Sequence, residues 1–342
     1  MNPTLPDLLP MRPYLREMVW GGRRLGALFG KDLPASRPIG ESWEVSAYPE
    51  HESSVLGGTM DGRTISRLLA EYGAALIGAG PWERYGGAFP LLIKLIDANA
   101  DLSIQVHPDD DYARKAGLTD SGKSEAWYIL EDGGGRACLG LKEGVGREQL
   151  IAAINGGRVL DVVEFRQLQP GDCVDVRPGT VHASCKGLLI YEVQQPSDLT
   201  FRIYDYDRLG LDGEKRELHI EQSLDVINFD GHTHTFMPAH NGTDTSRILI
   251  DGDHFKLVHH TVDGSSEHAT GPACSVLTAI AGSGRISAPD LTLEWCTGAT
   301  ILVPPNRRVS IRTDEALPEQ RLEFLEAIPS STLPIPTSSG KV

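Results

Sequence analysis

Gln105, His107, Glu125 and His182 are residues of this sequence whose types and placement could hold a metal ion. Gln105 and His107 belong to Asp101-Leu102-Ser103-Ile104-Gln105-Val106-His107-Pro108, where Leu102, Ile104 and Val106 alternate with polar residues. A period of two marks a half-buried strand, so Ser103, Gln105 and His107 project from one face. By the same rule the run from Lys123 to Leu130 puts Lys123, Glu125 and Trp127 on one face. The segment Gly171 to His182 ends a strand in a Pro178-Gly179 turn and then presents His182. A histidine after such a turn is by itself usually structural, and Gln105 alone would mean nothing. Donors on successive strands, all inward by parity, are the specific signal. Without a thiolate the set suits zinc, with manganese, iron, cobalt or nickel as the other metals these donors allow. Three or four protein donors would also leave a position open for a substrate oxygen.

Three cations share that inward parity: Lys94, Lys123 and Arg202. Lys94 lies inside the apolar run Leu91 to Asp97, where an unpaired ammonium would cost several kcal/mol, so it is paired or functional. Cations beside a divalent metal repel it unless an anion joins them, which points to an anionic, oxygen-rich ligand such as a sugar phosphate. Other histidines carry less. His232 and His234 have ligand spacing but sit in a polar Gly/Thr loop, together with His240, and His259 and His260 face opposite sides of a strand. Asp109, Asp110 and Asp111 after Pro108 read as a helix start, with proline at the first helical position and acids in the first turn. No nucleophile elbow, phosphate loop or dinucleotide fingerprint is present.

The elements that must position these residues are mainly strands. Pro178-Gly179-x-x-His182 resembles the second half of the cupin signature, a small jelly-roll barrel. The expected fold is mainly β: two cupin-like jelly-roll β-barrels, the first carrying short helical insertions. The first, metal-binding barrel is expected over residues 1–229, with helices near 61–79, 108–117 and 147–160. The apolar spacing of Ile65, Leu68, Leu69, Tyr72 and Leu76 marks the best helix, with Thr64 or Asp61 as its cap. A smaller β domain is expected over 230–327, where short strands are broken by Gly and Pro, and a disordered Ser/Pro-rich tail over 328–342. No run approaches membrane-spanning length, and Met1 to Leu9 lacks the pattern of a signal peptide. Five scattered cysteines without a Cys-x-x-Cys pair read as reduced thiols, so a cytoplasmic location is expected. A net charge of -15 argues against nucleic acid as a partner.

Ile93-Lys94, Ser103 to Pro108, Gly122-Lys123-Ser124-Glu125-Ala126-Trp127-Tyr128, Pro178 to His182 and Tyr191 to Arg208 together resemble the type I mannose-6-phosphate isomerases in their short bacterial form. Val19-Trp20-Gly21-Gly22 and Gly40-Glu41-Ser42-Trp43-Glu44 fit as well. The resemblance implies one zinc ion on Gln105, His107, Glu125 and His182, and interconversion of mannose 6-phosphate and fructose 6-phosphate through a cis-enediol. It places the family's catalytic arginine on Arg202, active-site lysines on Lys94 and Lys123, and a motif serine and acids on Ser103, Glu192 and Asp198. The general base stays open between Glu192, Asp198 and Lys123. Arg202 is expected to handle protons or charge at the reacting oxygens, and Lys94 with Ser103 to grip phosphate. Longer members carry a histidine where this chain has Gly122 and a large helical domain that it largely lacks. Two rival readings are a cupin metal oxygenase, whose usual ligands include a His-x-His pair, and a non-catalytic sugar-phosphate-binding regulator. Oligomeric state is open.

Overall fold

Strands of the first half alternate between two buried faces, and that alternation builds the architecture. In Leu92–Asp97, Ile93 and Leu95 point to one apolar cluster, whereas Lys94 and Ile96 point the other way. Leu189–Gln194 repeats the pattern, with Tyr191 and Val193 on one side and Ile190 and Glu192 on the other. Both faces are covered because each seven-stranded sheet has a partner on either side. The computed structural model, which describes residues 4–231, 234–239, 244–289, 291–314 and 321–331, contains two β-sandwiches of cupin-like jelly-roll form.

The first sandwich pairs a seven-stranded sheet with a five-stranded one. The seven-stranded sheet runs His234–Met237, Cys173–Val176, Glu125–Glu131, Leu189–Gln194, Leu92–Asp97, Ile39–Val45, Tyr14–Gly22. The five-stranded sheet runs Phe201–Tyr204, Ile104–Val106, His182–Ser184, Arg136–Leu141, Val163–Gln167. In the second sandwich a seven-stranded sheet centred on Ser275–Ala281 faces a four-stranded sheet of Ser265–Ala269, Arg308–Thr313, Ser283–Ala288 and Leu291–Cys296. All recorded pairings are antiparallel, the ladder that lets short connections join neighbours. The seven-stranded sheets pack back to back: Ile93, Tyr191 and Tyr128 share a core with Leu257, Val276 and Leu325.

The halves are also stitched together. Leu9–Arg12 and Ser54–Val55 join the second sandwich's larger sheet, whereas Tyr14–Gly22 joins the first. Buried Glu44 receives Lys31 Nζ at 2.7 Å and Thr300 Oγ1 at 2.9 Å, and Lys31 Nζ also donates to Gly298 O at 2.7 Å, so the hydrogen bonds with Thr300 and Gly298 cross between them. A buried carboxylate needs such partners.

Three expectations need correction. The helix expected near 61–79 is Ile65–Tyr72 followed by Ala74–Ile77 and then Ala79–Arg84. Gly73 (φ 51°) and Gly78 (φ 100°) break it, and a Cβ on Gly78 would sit 2.2 Å from Pro272 O, so only glycine fits that approach. Thr64, not Asp61, caps the first piece by accepting from Arg67 N. Within the stretch 231–245, taken as loop, His234–Met237 is a strand on the edge of the first sandwich; His232 and His240 lie outside the described residues. Residue 328, where a disordered tail was expected to open, lies in the strand Leu322–Pro329; residues 332–342 of that expected tail lie outside the described residues. The helix Arg147–Asn155 falls where expected, and Asp110–Lys115 is capped by Asp109, which accepts from Tyr112 N, leaving Pro108 just outside. Among the described residues no helix is long and apolar enough to cross a membrane.

Candidate active site

Cross-strand register brings the expected residues together between the two sheets of the first sandwich. On the five-stranded sheet, Arg202 pairs with Gln105 and Gln105 with His182, a row across three strands, with His107 just beyond the end of Ile104–Val106. On the facing sheet Trp43 pairs with Lys94, Lys94 with Glu192 and Glu192 with Trp127, while Gln194 pairs with Glu125. Lys123 precedes the Glu125–Glu131 strand rather than lying in it, yet its ammonium still points inward.

The donors converge on Glu125. His182 Nε2 is 3.3 Å from Glu125 Oε1 and His107 Nε2 is 3.4 Å from Glu125 Oε2, all three side chains being buried. Lys123 Nζ lies 2.9 Å from Glu125 Oε2 and 3.2 Å from His107 Nε2. That contact is a charge pairing out of hydrogen-bond alignment, for neither Glu125 oxygen has a hydrogen-bond partner. A buried carboxylate with two unspent oxygens between two imidazoles is a set that could hold a metal ion.

Protonation agrees with that chemistry. Burial, with help from Lys123, pulls His107 down to about 3. Burial also lowers His182, against the pull of Glu125. Both rings are neutral near pH 7, as metal ligands must be. Burial pushes Glu125 up, but Lys123 and His107 outweigh it and hold the carboxyl well below its ordinary value. His182 Nδ1 is 2.8 Å from Thr180 O, to which it donates, so Nε2 faces the centre with a lone pair. Gln105 Nε2 now donates toward His182 Nε2 at 3.3 Å, and its Oε1 accepts from Ser103 Oγ at 3.2 Å.

Around this centre the cations differ. Lys94, buried, lies 3.2 Å from Glu192 Oε2 and over the Trp43 ring at 5.0 Å. No contact joins Lys94 to Ser103 among those recorded for the described residues. Glu192 Oε1 accepts from Trp127 Nε1 at 2.9 Å, and burial with the nearby charge of Glu125 raises its pKa. Asp198 takes both arms of Arg16, at 3.1 and 3.0 Å; burial pushes it up, but Lys94 and Arg16 win and lower it. Arg202 has no ion pair recorded among the described residues, its Nε is buried without a partner, and burial and Arg216 lower its pKa. A guanidinium short of counter-charge is an anion site.

Sequence reasoning missed Arg16 and Tyr48. Arg16 fixes Asp198 from 182 positions away and also reaches Glu41 Oε2 at 3.6 Å. Tyr48 donates to Asp120, which accepts from the Asp198 amide. Nothing local in the sequence marks either residue. A cleft of about 900 Å3 lined by Tyr48, Trp82, Tyr85, Asp120 and Gln195 opens next to Asp198 but touches none of the four donors, so the donors and not the volume locate the chemistry. At Gly122 a Cβ would lie 2.4 Å from Asp109 C, which leaves no room for a side chain there.

The class this geometry defines is a cupin-like β-sandwich whose buried His/Glu/His cluster could hold a metal ion, with Lys94, Lys123 and Arg202 around it. Comparison with known proteins narrows it. The family model for the phosphomannose isomerase type I catalytic domain matches residues 8–128. Mannose-6-phosphate isomerase ManA of Bacillus subtilis is 33% identical over 295 residues, 86% of this chain and 91% of that one. The Streptococcus mutans mannose-6-phosphate isomerase is 35% identical over 286 residues, 83% and 88%. The crystal structure of the mannose 6-phosphate isomerase from Bacillus subtilis superposes with a TM-score of 0.83 at 30% identity, over 94% of this chain and 99% of that one. The chain belongs to the type I mannose-6-phosphate isomerases, and is an isomerase.

Proposed function

We propose that this chain is a zinc-dependent aldose–ketose isomerase that interconverts mannose 6-phosphate and fructose 6-phosphate at the centre formed by Gln105, His107, Glu125 and His182. The observation that carries the reading is the pair of unspent Glu125 oxygens 3.3 and 3.4 Å from two neutral imidazoles. Donors around one zinc at about 2.1 Å stand roughly 3.4 Å apart, so the three residues need little movement to hold the ion. A half-turn of the Gln105 amide exchanges its two ends, presenting Oε1 to the ion and Nε2 to Ser103 Oγ. When bound, zinc would act as a Lewis acid on the sugar oxygens next to C1 and C2.

The protein's own groups supply the rest. A proton must move between C1 and C2 by way of the cis-enediol. Glu192 is the best base of the three candidates: its carboxyl is raised by burial and aimed by Trp127 and Lys94, and a stronger base takes a carbon-bound proton more readily. Asp198 is weakened as a base by the two-armed grip of Arg16, and Lys123 is committed to Glu125 and His107. Arg202, with no ion pair among the described residues and next to Gln105 in the sheet, takes the negative charge that develops on the sugar oxygens. Lys94 meets the phosphate by sharing its ammonium with Glu192, while Ser103, engaged with Gln105, contributes its hydroxyl separately; an unchanged KM in Lys94→Ala would remove the lysine's assignment. Four buried free cysteines suit a reducing, cytoplasmic setting.

Zinc content and turnover of Glu125→Ala test the reading together. A folded variant is expected to lose turnover and to bind one zinc ion per chain fewer than the wild type, whereas a zinc-free wild type turning over at full rate would overturn it.

A further inference from the structure

The second sandwich carries a His/Glu/His cluster of its own. His260 Nε2 lies 2.8 Å from Glu326 Oε2, and His268 Nε2 lies 3.2 Å from Glu326 Oε1. The three donor atoms all lie within 4.8 Å of one another. Strand register explains the convergence. His260 pairs with Phe324 and Glu326 follows two residues later, so both face the interior of this sandwich from its larger sheet. His268 comes from the facing four-stranded sheet, opposite Val309 of the same interior core.

The arrangement is pre-organised. Phe324 stacks on the His260 ring at 4.6 Å and meets His268 edge-on at 5.9 Å. Ser275 Oγ donates to Glu326 Oε1 at 2.6 Å, fixing the carboxylate as outer partners of metal ligands do. Charge favours a dication too. No lysine or arginine pairs with Glu326 among the described residues, so one full negative charge sits between two imidazoles in a nearly dry site. The side chains keep 15%, 12% and 6% exposure, enough of an opening for an ion to enter.

We propose that His260, His268 and Glu326 form a second divalent transition-metal site, structural in role, that clamps the two sheets of the second sandwich. Two imidazoles and a carboxylate with no thiolate suit zinc and its first-row neighbours. Each imidazole gives up the hydrogen it shares with Glu326, and the donors open by a few tenths of an ångström to admit the ion. The site is independent of the isomerase centre.

Zinc itself is the probe. Full-length protein is stripped with EDTA, equilibrated with zinc chloride, dialysed and assayed for metal. About two zinc ions per chain are expected in the wild type, about one in Glu125→Ala and about one in Glu326→Gln. Glu326→Gln should keep isomerase turnover, and zinc should raise the melting temperature of Glu125→Ala but not of Glu125→Ala combined with His268→Ala. A Glu125→Ala protein that is folded yet binds no zinc would overturn the proposal, leaving the cluster as a hydrogen-bonded cross-link. So would a wild type with one zinc that His268→Ala does not remove. Failure of the isomerase centre instead would show as one zinc that is lost with Glu326→Gln.

Discussion

Each sandwich places two imidazoles and a carboxylate between its sheets, yet the two clusters are surrounded differently. In the first, His–Glu separations are 3.3 and 3.4 Å, and Glu125 accepts no hydrogen bond. In the second they are 2.8 and 3.2 Å, and Glu326 also accepts Ser275. The first has Arg202 Nε and Glu192 Oε2 near it, buried and without a hydrogen-bond partner; the second is backed by Phe324 and Trp295. A triad of metal-type donors is therefore not in itself a catalytic site. Unspent charge around it makes the difference.

The sharpest break of the comparison is to delete the same carboxylate from each cluster. Glu125→Ala should lower kcat on the order of 10³-fold or more, through loss of both the ion and its orientation. Glu326→Gln should leave kcat within about twofold, since its side-chain partners among the described residues, His260, His268 and Ser275, all lie in the second sandwich. Comparable losses from both would merge the two clusters into one machine.

Next come the groups that set the first cluster apart. Glu192→Gln should cost about 10²–10⁴-fold in kcat with KM little changed, and should abolish exchange of the substrate's carbon-bound proton with heavy water. Because the base works deprotonated and its pKa is raised by burial and Glu125, kcat should fall on acidification at a pH above the ordinary carboxylate range. Arg202→Ala should cost about 10²–10³-fold, and lysine should not restore it if the planar fork matters. Arg16→Met, which frees Asp198, should cost about tenfold.

The second cluster should answer in stability rather than rate. Burial raises Glu326, but His260 and His268 outweigh it and depress its pKa. A carboxyl depressed in the folded state stabilises the fold above its unfolded pKa and loses that contribution as pH falls through the folded value. Wild type should therefore melt higher than Glu326→Gln near neutral pH, by about 1–3 kcal/mol of stability, and the gap should close in acid. Melting curves from pH 7 downward check this, and a gap that widens in acid would contradict it.

Much of the first cluster was legible because it is written in parity. Ser103, Gln105 and His107 alternate with apolar neighbours, Glu125 does so with Ala126, and each element therefore announces which side chains turn inward. The second cluster was not. His260 was visible only as one side of a two-histidine strand, and its partners lie 8 and 66 positions away, joined by a register no local pattern records. Arg16 was hidden for the same reason: its partner Asp198 is 182 positions distant. The broken helix was misread because Gly73 and Gly78 act through φ, and the Gly78 constraint comes from Pro272, far along the chain.

The most direct test is a coupled assay of mannose 6-phosphate conversion to fructose 6-phosphate, run on one preparation before EDTA, after EDTA and after zinc is restored. Activity that disappears with the chelator and returns with zinc in the wild type, but never in Glu125→Ala, is the predicted result. Full turnover after verified removal of the metal, or none in a folded protein shown to carry zinc on Glu125, would contradict it.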